Sequence, residues 1–166
     1  MIKIRKAELR DVSLLNELIR DLATYEHVPL ETLGMNEDVL RRDGFGDCPR
    51  FQSLVAEFEA KPCGFALYYY VYSTFVGQPV LYIEDLYVRP EYRRRGIASA
   101  LLAEIARVAA LEGISRMQWQ VLDWNLQAIE FYSSLGAELS VQWKTVRIEA
   151  QNLRHLAELS TDLSTV

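Results

Sequence analysis

The sequence lacks an excess of basic side chains, and it contains few cysteines and histidines. Its 166 residues include 18 Lys and Arg against 23 Asp and Glu, a net charge of -5, with two Cys and two His. General polyanion binders usually carry a basic face, so we expect a cationic partner and no nucleic acid. Cys48 and Cys63 are interpreted as reduced thiols, which favours a cytoplasmic protein, although their pairing stays an open alternative.

Signals for export and for membrane insertion are missing as well. The first eleven residues, "MIKIRKAELRD", carry charges where a signal peptide needs an apolar core. Residues 62–83 have no charge, and their number alone would permit a membrane span. This range nevertheless holds two prolines, two glycines and five tyrosines, which indicates two buried strands joined at "FVGQP". We therefore expect no membrane partner.

Hydrophobic periodicity predicts a single α/β domain over residues 1–166. "IKIRKA" has the pattern of a strand, Asp11 and Asn36 are placed to cap two helices that end near Tyr25 and Arg42, and "AKPCG" is expected as a hairpin turn. The remaining predicted elements are strands at 51–59, 64–73, 79–88, 116–122 and 141–149, and helices at 96–113, 125–136 and 150–159. This order predicts a mixed sheet, antiparallel at first and parallel at the helical crossover, with helices on both faces.

The stretch "YRRRGIA" at residues 92–98 joins a buried strand to the longest amphipathic helix. Unpaired amides at a helix amino terminus attract phosphate, Gly96 permits close approach of the backbone, and arginine side chains bind anions strongly. A solvated loop is the alternative interpretation. The sequence has no G-x-x-x-x-G-K-[ST] motif, and one glycine cannot supply the three of a dinucleotide-binding turn.

The pattern V-x-P-x-Y-R-R-x-G-I-A resembles motif A of the GNAT superfamily of N-acetyltransferases, whose Q/R-x-x-G-x-G/A core corresponds to residues 93–98. The segments "YEHV", "EDVLRRDGFGD", "LVAE", "LYIEDLYV" and "DWNLQAIEFYSSLGA" extend this resemblance to the diamine acetyltransferase branch, which contains the spermidine/spermine and thialysine acetyltransferases. The resemblance implies a GNAT fold with about six to seven strands and a splayed parallel pair. It also implies acetyl-CoA as cosubstrate, no metal, and a homodimer to which the last strand and the carboxy-terminal segment contribute.

The resemblance assigns the cofactor to one strand, the arginine loop and one later helix. The strand positions expected to pair with the pantetheine arm are Leu86, Tyr87 and Val88. The pyrophosphate contacts implied are Arg94, Arg95, Gly96, Ile97, Ala98 and Ser99, whereas Arg93 is expected to be structural. Asn125 matches a cofactor contact and is also placed to cap its own helix.

Two residues are implied in catalysis of acetyl transfer to a primary amine. Tyr132 matches the general acid for the coenzyme A sulfur, a role open to a phenol because it is protonated at neutral pH; the alternative is a core aromatic pair with Phe131. Strand alternation sends Glu84 and Asp85 to opposite faces, and the resemblance selects Glu84 as base and amine contact, with a structural carboxylate as its alternative. The implied acceptor contacts are Tyr25, Glu26, Glu84, Gln118, Trp119 and Gln120.

The sequence departs from the family after Ala137. Its segment "ELSVQW" is shorter than in the vertebrate-type enzymes and lacks the acidic pair found there before the tryptophan. Because a long polycation benefits most from spaced carboxylates, we expect shorter diamines or thialysine-like amino acids to outperform spermine. Alternative acceptors are a protein amino terminus, a lysine or an aminoglycoside, and the non-enzymatic alternative is a coenzyme A-binding module.

Overall fold

The computed structural model describes residues 1–140 and 142–162, without the side chains of 160–162. Its chain forms two compact units that divide after Gln120. The interpretation of residues 1–166 as one acetyltransferase domain stays a prediction.

The first unit contains one five-stranded sheet in the order β1-β2-β3-β4-β5. The first four strands pair antiparallel, and β5 pairs parallel to β4, as expected where a helix makes the crossover. The elements of this unit are β1 Ile2–Lys6, α1 Val12–Tyr25, α2 Glu37–Phe45, β2 Gln52–Phe58, β3 Lys61–Ser73, β4 Gln78–Val88, α3 Ile97–Leu111 and β5 Met117–Trp119.

Helices cover both faces of this sheet. On one face, Leu15 and Leu18 of α1 join a buried cluster with Val55, Phe65 and Leu67 of the strands. Leu101 and Ile105 of α3 are fully buried, and α3 packs along β1 to β4. Alternating strand residues thus supply a core to each face, and the sheet holds the carboxyl end of β4 between α1 and α3.

A partly buried ion cluster ties β1 to the start of α1. The two terminal nitrogens of Arg5 donate to the Asp11 carboxylate at 2.6 and 2.8 Å, and its Nε donates to Glu57 at 2.7 Å. Arg5 holds the pKa of the Asp11 carboxyl below its usual range. Asp11 occupies the cap position of α1, but its side chain makes no capping bond there and accepts from the Glu8 amide instead. The expected Asn36 cap is confirmed by the Val39 amide, 3.0 Å from Oδ1.

Several element boundaries differ from the predictions, among them the end of β5 at Trp119 instead of residue 122. Helix α2 continues to Phe45 instead of ending near Arg42. The first hairpin turns at Glu59 and Ala60, which have φ values of 51° and 62°, whereas residues 61–64 of the expected turn already belong to β3. The "AKPCG" prediction was wrong because the left-handed turn conformation is adopted here by non-glycine residues, for which it is uncommon.

The second unit contains α4 Leu126–Ser134 and α5 Ala150–Asp162. The predicted last strand is wrong over residues 142–149, which have no strand conformation, and Val141 lies outside the described residues. Trp143 and Val146 of this segment are 81% and 92% exposed, so its alternating pattern buries no face that would stabilise a strand. The described residues therefore form five strands instead of six to seven. None of their helices is both long and apolar enough to span a bilayer.

Candidate active site

The arginine loop has the backbone of an anion-binding turn. Gly96 precedes α3 with a φ of 81°, and no side chain caps the helix. Arg94 is also left-handed, with a φ of 61°. Nothing lies within 4 Å of the position that a Cβ on Gly96 would take. Gly96 is consequently open to the close approach of a ligand, and the amides that follow it at the start of a helix are donors of the kind that bind phosphate oxygens.

The three arginines of the loop have different surroundings. Arg93 lies over the Tyr25 ring at 4.5 Å and near the Tyr87 ring at 5.7 Å, and its Nε donates to the Val88 carbonyl at 2.9 Å. Arg95 lies 4.9 Å from the ring of Phe58. Arg94 is exposed. Arg93 thus joins the loop to the end of α1, in agreement with the structural role expected for it.

We expect Arg93→Met to lower the free energy of unfolding by about 2 kcal/mol, because it removes two cation–π contacts and a hydrogen bond. The matched variant Arg94→Met is expected to change it by less than about 0.5 kcal/mol, as is usual for exposed positions, and to weaken coenzyme A binding. Urea unfolding and calorimetric titration with coenzyme A measure the two effects. An equal loss of stability in both variants would contradict the structural role of Arg93 and the exposed, ligand-binding role of Arg94.

Strand β4 continues past its parallel neighbour. The β4–β5 ladder pairs Leu81 with Met117, Tyr82 with Gln118 and Ile83 with Trp119, and β4 then extends to Val88. The predicted acceptor residues Gln118 and Trp119 are therefore adjacent to Tyr82 and Ile83, and Gln120 follows them in the chain. Tyr87 and Val88 are buried and Leu86 is half-buried.

A β-bulge interrupts β4 at Glu84. Leu67 of β3 pairs with Asp85, and the next residue, Tyr68, pairs with Ile83, so Glu84 is the extra residue. Bulges break side-chain alternation and often lie beside active sites. The alternation argument for Glu84 and Asp85 consequently does not hold across this position.

Three carboxyl groups interact around the bulge. Burial raises the pKa of Asp85, and together with the nearby charges of Glu84 and Glu26 it brings that pKa to about 7. Burial also raises the pKa of Glu26. Glu84 is exposed and accepts a hydrogen bond from the Tyr69 hydroxyl at 3.0 Å. The geometry therefore connects the predicted residues Glu26 and Glu84 and adds Asp85 and Tyr69, which sequence reasoning missed.

Two pairs of aromatic rings belong to the elements that carry or flank these carboxyl groups. The rings of Tyr69 and Tyr82 lie 5.3 Å apart, and those of Tyr25 and Tyr87 lie 6.4 Å apart. Burial and the hydrogen bond to Glu84 raise the pKa of Tyr69 to about 12, so its hydroxyl is a donor at neutral pH. Carboxylates and aromatic faces both attract cations, and the tyrosine-rich sequence at 68–70 was the available signal for Tyr69.

The pKa of Asp85 predicts a stability that depends on pH. A carboxyl whose pKa rises from 3.8 to about 7 on folding binds more protons in the folded state between those values, so stability falls as pH rises through this range. After allowance for partial exposure, the free energy of unfolding should be on the order of 1 kcal/mol higher at pH 6 than at pH 8. Urea unfolding at both pH values checks this, with Asp85→Asn as control. If Asp85→Asn shows the same difference in the free energy of unfolding between the two pH values, the pH dependence arises from another group.

The second unit holds two further predicted residues. The Asn125 side chain accepts from the Ala128 amide at 3.2 Å, which confirms its capping role in α4. Tyr132 is half-buried near the end of this helix, with its ring 5.3 Å from that of Phe131. This contact agrees with the aromatic pair considered as an alternative, and it leaves the chemical role of the hydroxyl as a prediction.

Comparison with known families identifies the class of protein. The profile described as the acetyltransferase (GNAT) family matches residues 15–137. The chain belongs to this family and is an acetyltransferase of its diamine branch. The family uses acetyl-CoA, with which the open arginine loop is compatible.

Curated relatives cover nearly the whole chain. The thialysine N-epsilon-acetyltransferase of Sus scrofa is 39% identical over 94% of this chain and 97% of its own length. The spermidine/spermine N(1)-acetyltransferase-like protein 1 of Homo sapiens is 36% identical over 93% of this chain but 24% of its own, longer sequence. These two similarities agree with the branch inferred from the motifs.

Solved structures support the fold. An integron cassette protein from the mobile metagenome of V. cholerae has a TM-score of 0.77 at 23% identity, covering 95% of this chain and 98% of its own. An aminoglycoside N-acetyltransferase in complex with CoA has a TM-score of 0.72 at 21% identity, and the match covers 90% of this chain and 96% of that protein's chain. The predicted α/β GNAT architecture is confirmed, apart from the number of strands.

Proposed function

We propose that the protein transfers the acetyl group of acetyl-CoA to a primary amine of a small cationic acceptor, a diamine, a polyamine or a thialysine-like amino acid. The observation that carries this proposal is the carboxyl cluster of Glu26, Glu84 and Asp85 beside the bulge of β4. Burial and, after it, repulsion by Glu84 and Glu26 raise the pKa of Asp85, and a bound ammonium group relieves such repulsion. The relatives named above are a thialysine N-epsilon-acetyltransferase and a spermidine/spermine N(1)-acetyltransferase-like protein.

The cosubstrate is proposed to lie along β4 and the arginine loop. Leu86, Tyr87 and Val88 follow the last β4–β5 pair, and an extended pantetheine arm can pair there like an added strand. Arg94 and Arg95 supply positive charge, and the amides from Gly96 to Ser99 supply donors for the pyrophosphate. Asn125 is proposed as a further contact.

The chemical roles follow from what amine acetylation requires. The acceptor must lose a proton, the thioester oxygen needs a donor, and the departing sulfur needs a proton. We assign the first task to Glu84 together with Asp85, since a pKa near 7 suits a base at neutral pH. A β4 amide is assigned the second task and Tyr132 the third. The acceptor attacks acetyl-CoA directly within a ternary complex.

The assembly and location are further proposals. A homodimer is supported by exposed apolar side chains in the second unit, which are Trp143, Val146, Ile148, Leu153 and Leu156. Cys48 and Cys63 are both free thiols, as suits a cytoplasmic protein. The expectation that catalysis needs no metal stays a prediction.

A panel of amines tests the acceptor class. Acetyl-CoA consumption is measured with putrescine, thialysine, lysine, spermidine, spermine and an aminoglycoside. The proposal predicts higher kcat/KM for short diamines or thialysine than for spermine, because the segment after Ala137 lacks the acidic pair of the vertebrate-type enzymes. A clear preference for spermine would reject the short acceptor, and a preference for the aminoglycoside would reject the class.

A further inference from the structure

A pocket of about 360 Å³ shares Tyr69 with the surroundings of the carboxyl cluster, but its charged lining residues are basic. It lies where β1 ends, β2 begins and β3 extends beyond the start of β2, and the end of α2 and its following loop contribute to its wall. Phe45 and Phe51 supply apolar surface, and Lys6 and Arg50 supply positive charge. Its volume falls in the range of small-molecule sites.

The charge of this pocket is positive although the protein is acidic. Its lining includes Lys6 and Arg50 but no Asp or Glu. Within residues 1–140 and 142–162, neither cation has an ion-pair partner within 4 Å. Both cations are therefore available to a bound anion.

Two acidic groups that interact electrostatically with these cations already have partners. Arg50 acts electrostatically on Asp43, but both oxygens of Asp43 accept from Arg42, at 2.8 and 2.6 Å. Lys6 acts on Glu104, whose two oxygens accept from Arg107 at 2.9 and 2.7 Å. These arginine–carboxylate pairs are bidentate, which satisfies the carboxylates without Lys6 or Arg50.

The pocket also includes a buried hydroxyl group without a partner. Ser53 is 8% exposed, and its Oγ is the one buried side-chain polar atom in the described residues that lacks a hydrogen bond. An unsatisfied buried hydroxyl costs about 1–3 kcal/mol, so its presence calls for a ligand or another explanation. Rotation about χ1 can turn the hydroxyl toward the pocket that Ser53 lines.

Tyr69 connects this pocket with the carboxyl cluster. The residue contributes to the pocket wall, and its hydroxyl donates to Glu84. Tyr69 thus spans the interval between the pocket and Glu84. Negative charge lies at one end of this interval and positive charge at the other.

We infer that the pocket binds the α-carboxylate of an amino-acid acceptor whose side-chain amine lies at Glu84 and Asp85. The inference rests on the proposed function and narrows its acceptor class to lysine-like amino acids. A diamine or polyamine would place an ammonium group beside Lys6 and Arg50 without the carboxylate that balances it in an amino acid, and the like charges select against it. Ser53 would donate its hydrogen bond to the same carboxylate.

The test compares thialysine with two analogues that lack the negative charge, its decarboxylated diamine and its methyl ester. For Arg50→Gln and Lys6→Gln, the ratio of kcat/KM for thialysine to that for each analogue should fall about tenfold, equivalent to about 1.4 kcal/mol. Ser53→Ala should lower the ratio severalfold without loss of stability, since it removes an unsatisfied group. Arg41→Gln is the control, because Arg41 pairs with Glu37 on α2 outside the pocket.

The outcomes separate this inference from the proposed function. An unchanged ratio in the Arg50 and Lys6 variants, or a fall of equal size in Arg41→Gln, would overturn the carboxylate site. Failure of the wild-type protein to acetylate any of the three amines would instead reject the proposed function. Calorimetric binding of thialysine and its diamine, in the presence of coenzyme A, then measures the same ratio without turnover and decides the inference independently.

Discussion

Tyr132→Phe is expected to lower kcat about a hundredfold or more, the usual contribution of a positioned general acid. The substitution removes only the hydroxyl, so the ring contact with Phe131 at 5.3 Å is retained. Without that proton donor, the coenzyme A sulfur must leave as a thiolate. Affinity for acetyl-CoA and the free energy of unfolding should both be preserved.

Stopped-flow or steady-state measurement of coenzyme A release gives kcat, and calorimetry gives the affinity. Tyr72→Phe is the matched control, because Tyr72 is exposed and its hydroxyl donates to the Gly77 carbonyl in the β3–β4 hairpin. Its kcat should be unchanged. Retention of wild-type turnover by Tyr132→Phe would remove this residue from the chemistry and leave the aromatic pair as its role.

Neutralisation of the carboxyl pair on β4 should have the second large effect. Asp85→Asn is expected to lower kcat/KM about a hundredfold at pH 8, in the range of a lost general base. In the wild-type protein, kcat/KM should rise as pH increases through about 7, because Asp85 loses its proton there. This rise of kcat/KM with pH should be absent in Asp85→Asn.

The pH dependence of kcat/KM for Asp85→Asn, Glu84→Gln and the double variant tests the pair. If the two groups act as one unit, the loss in the double variant is smaller than the product of the single losses. If the loss of kcat/KM in the double variant equals the product of the two single losses, Glu84 and Asp85 have separate binding roles. If kcat/KM of Asp85→Asn still rises as pH increases through about 7, the general base is another group.

Local sequence signals predicted the arginine loop correctly. A strand ending at Val88, a glycine at 96 and an apolar helix after it define the turn, and the structure has Gly96 left-handed before α3. The Asn36 and Asn125 caps are equally local and were also confirmed. Such features depend on residues a few positions apart, for which sequence patterns are informative.

Features that depend on distant residues were not predictable in the same way. The bulge at Glu84 is a property of the register between β3 and β4, and a change of one residue reverses the expected faces. The effect of Glu26 on Asp85 requires α1 and β4 to meet. The segment 142–149 has strand-like alternation but exposes Trp143 and Val146, so the alternation corresponds to no buried face.

The central claim is that this chain acetylates a small cationic amine with acetyl-CoA. It is tested most directly by incubating the protein with acetyl-CoA and thialysine, then quantifying free coenzyme A and acetylated amine by mass spectrometry. The account predicts that the two products form in equal amounts and that both depend on the amine. Tight binding of acetyl-CoA without acetylated product, for thialysine and for every other amine of the panel, would contradict it.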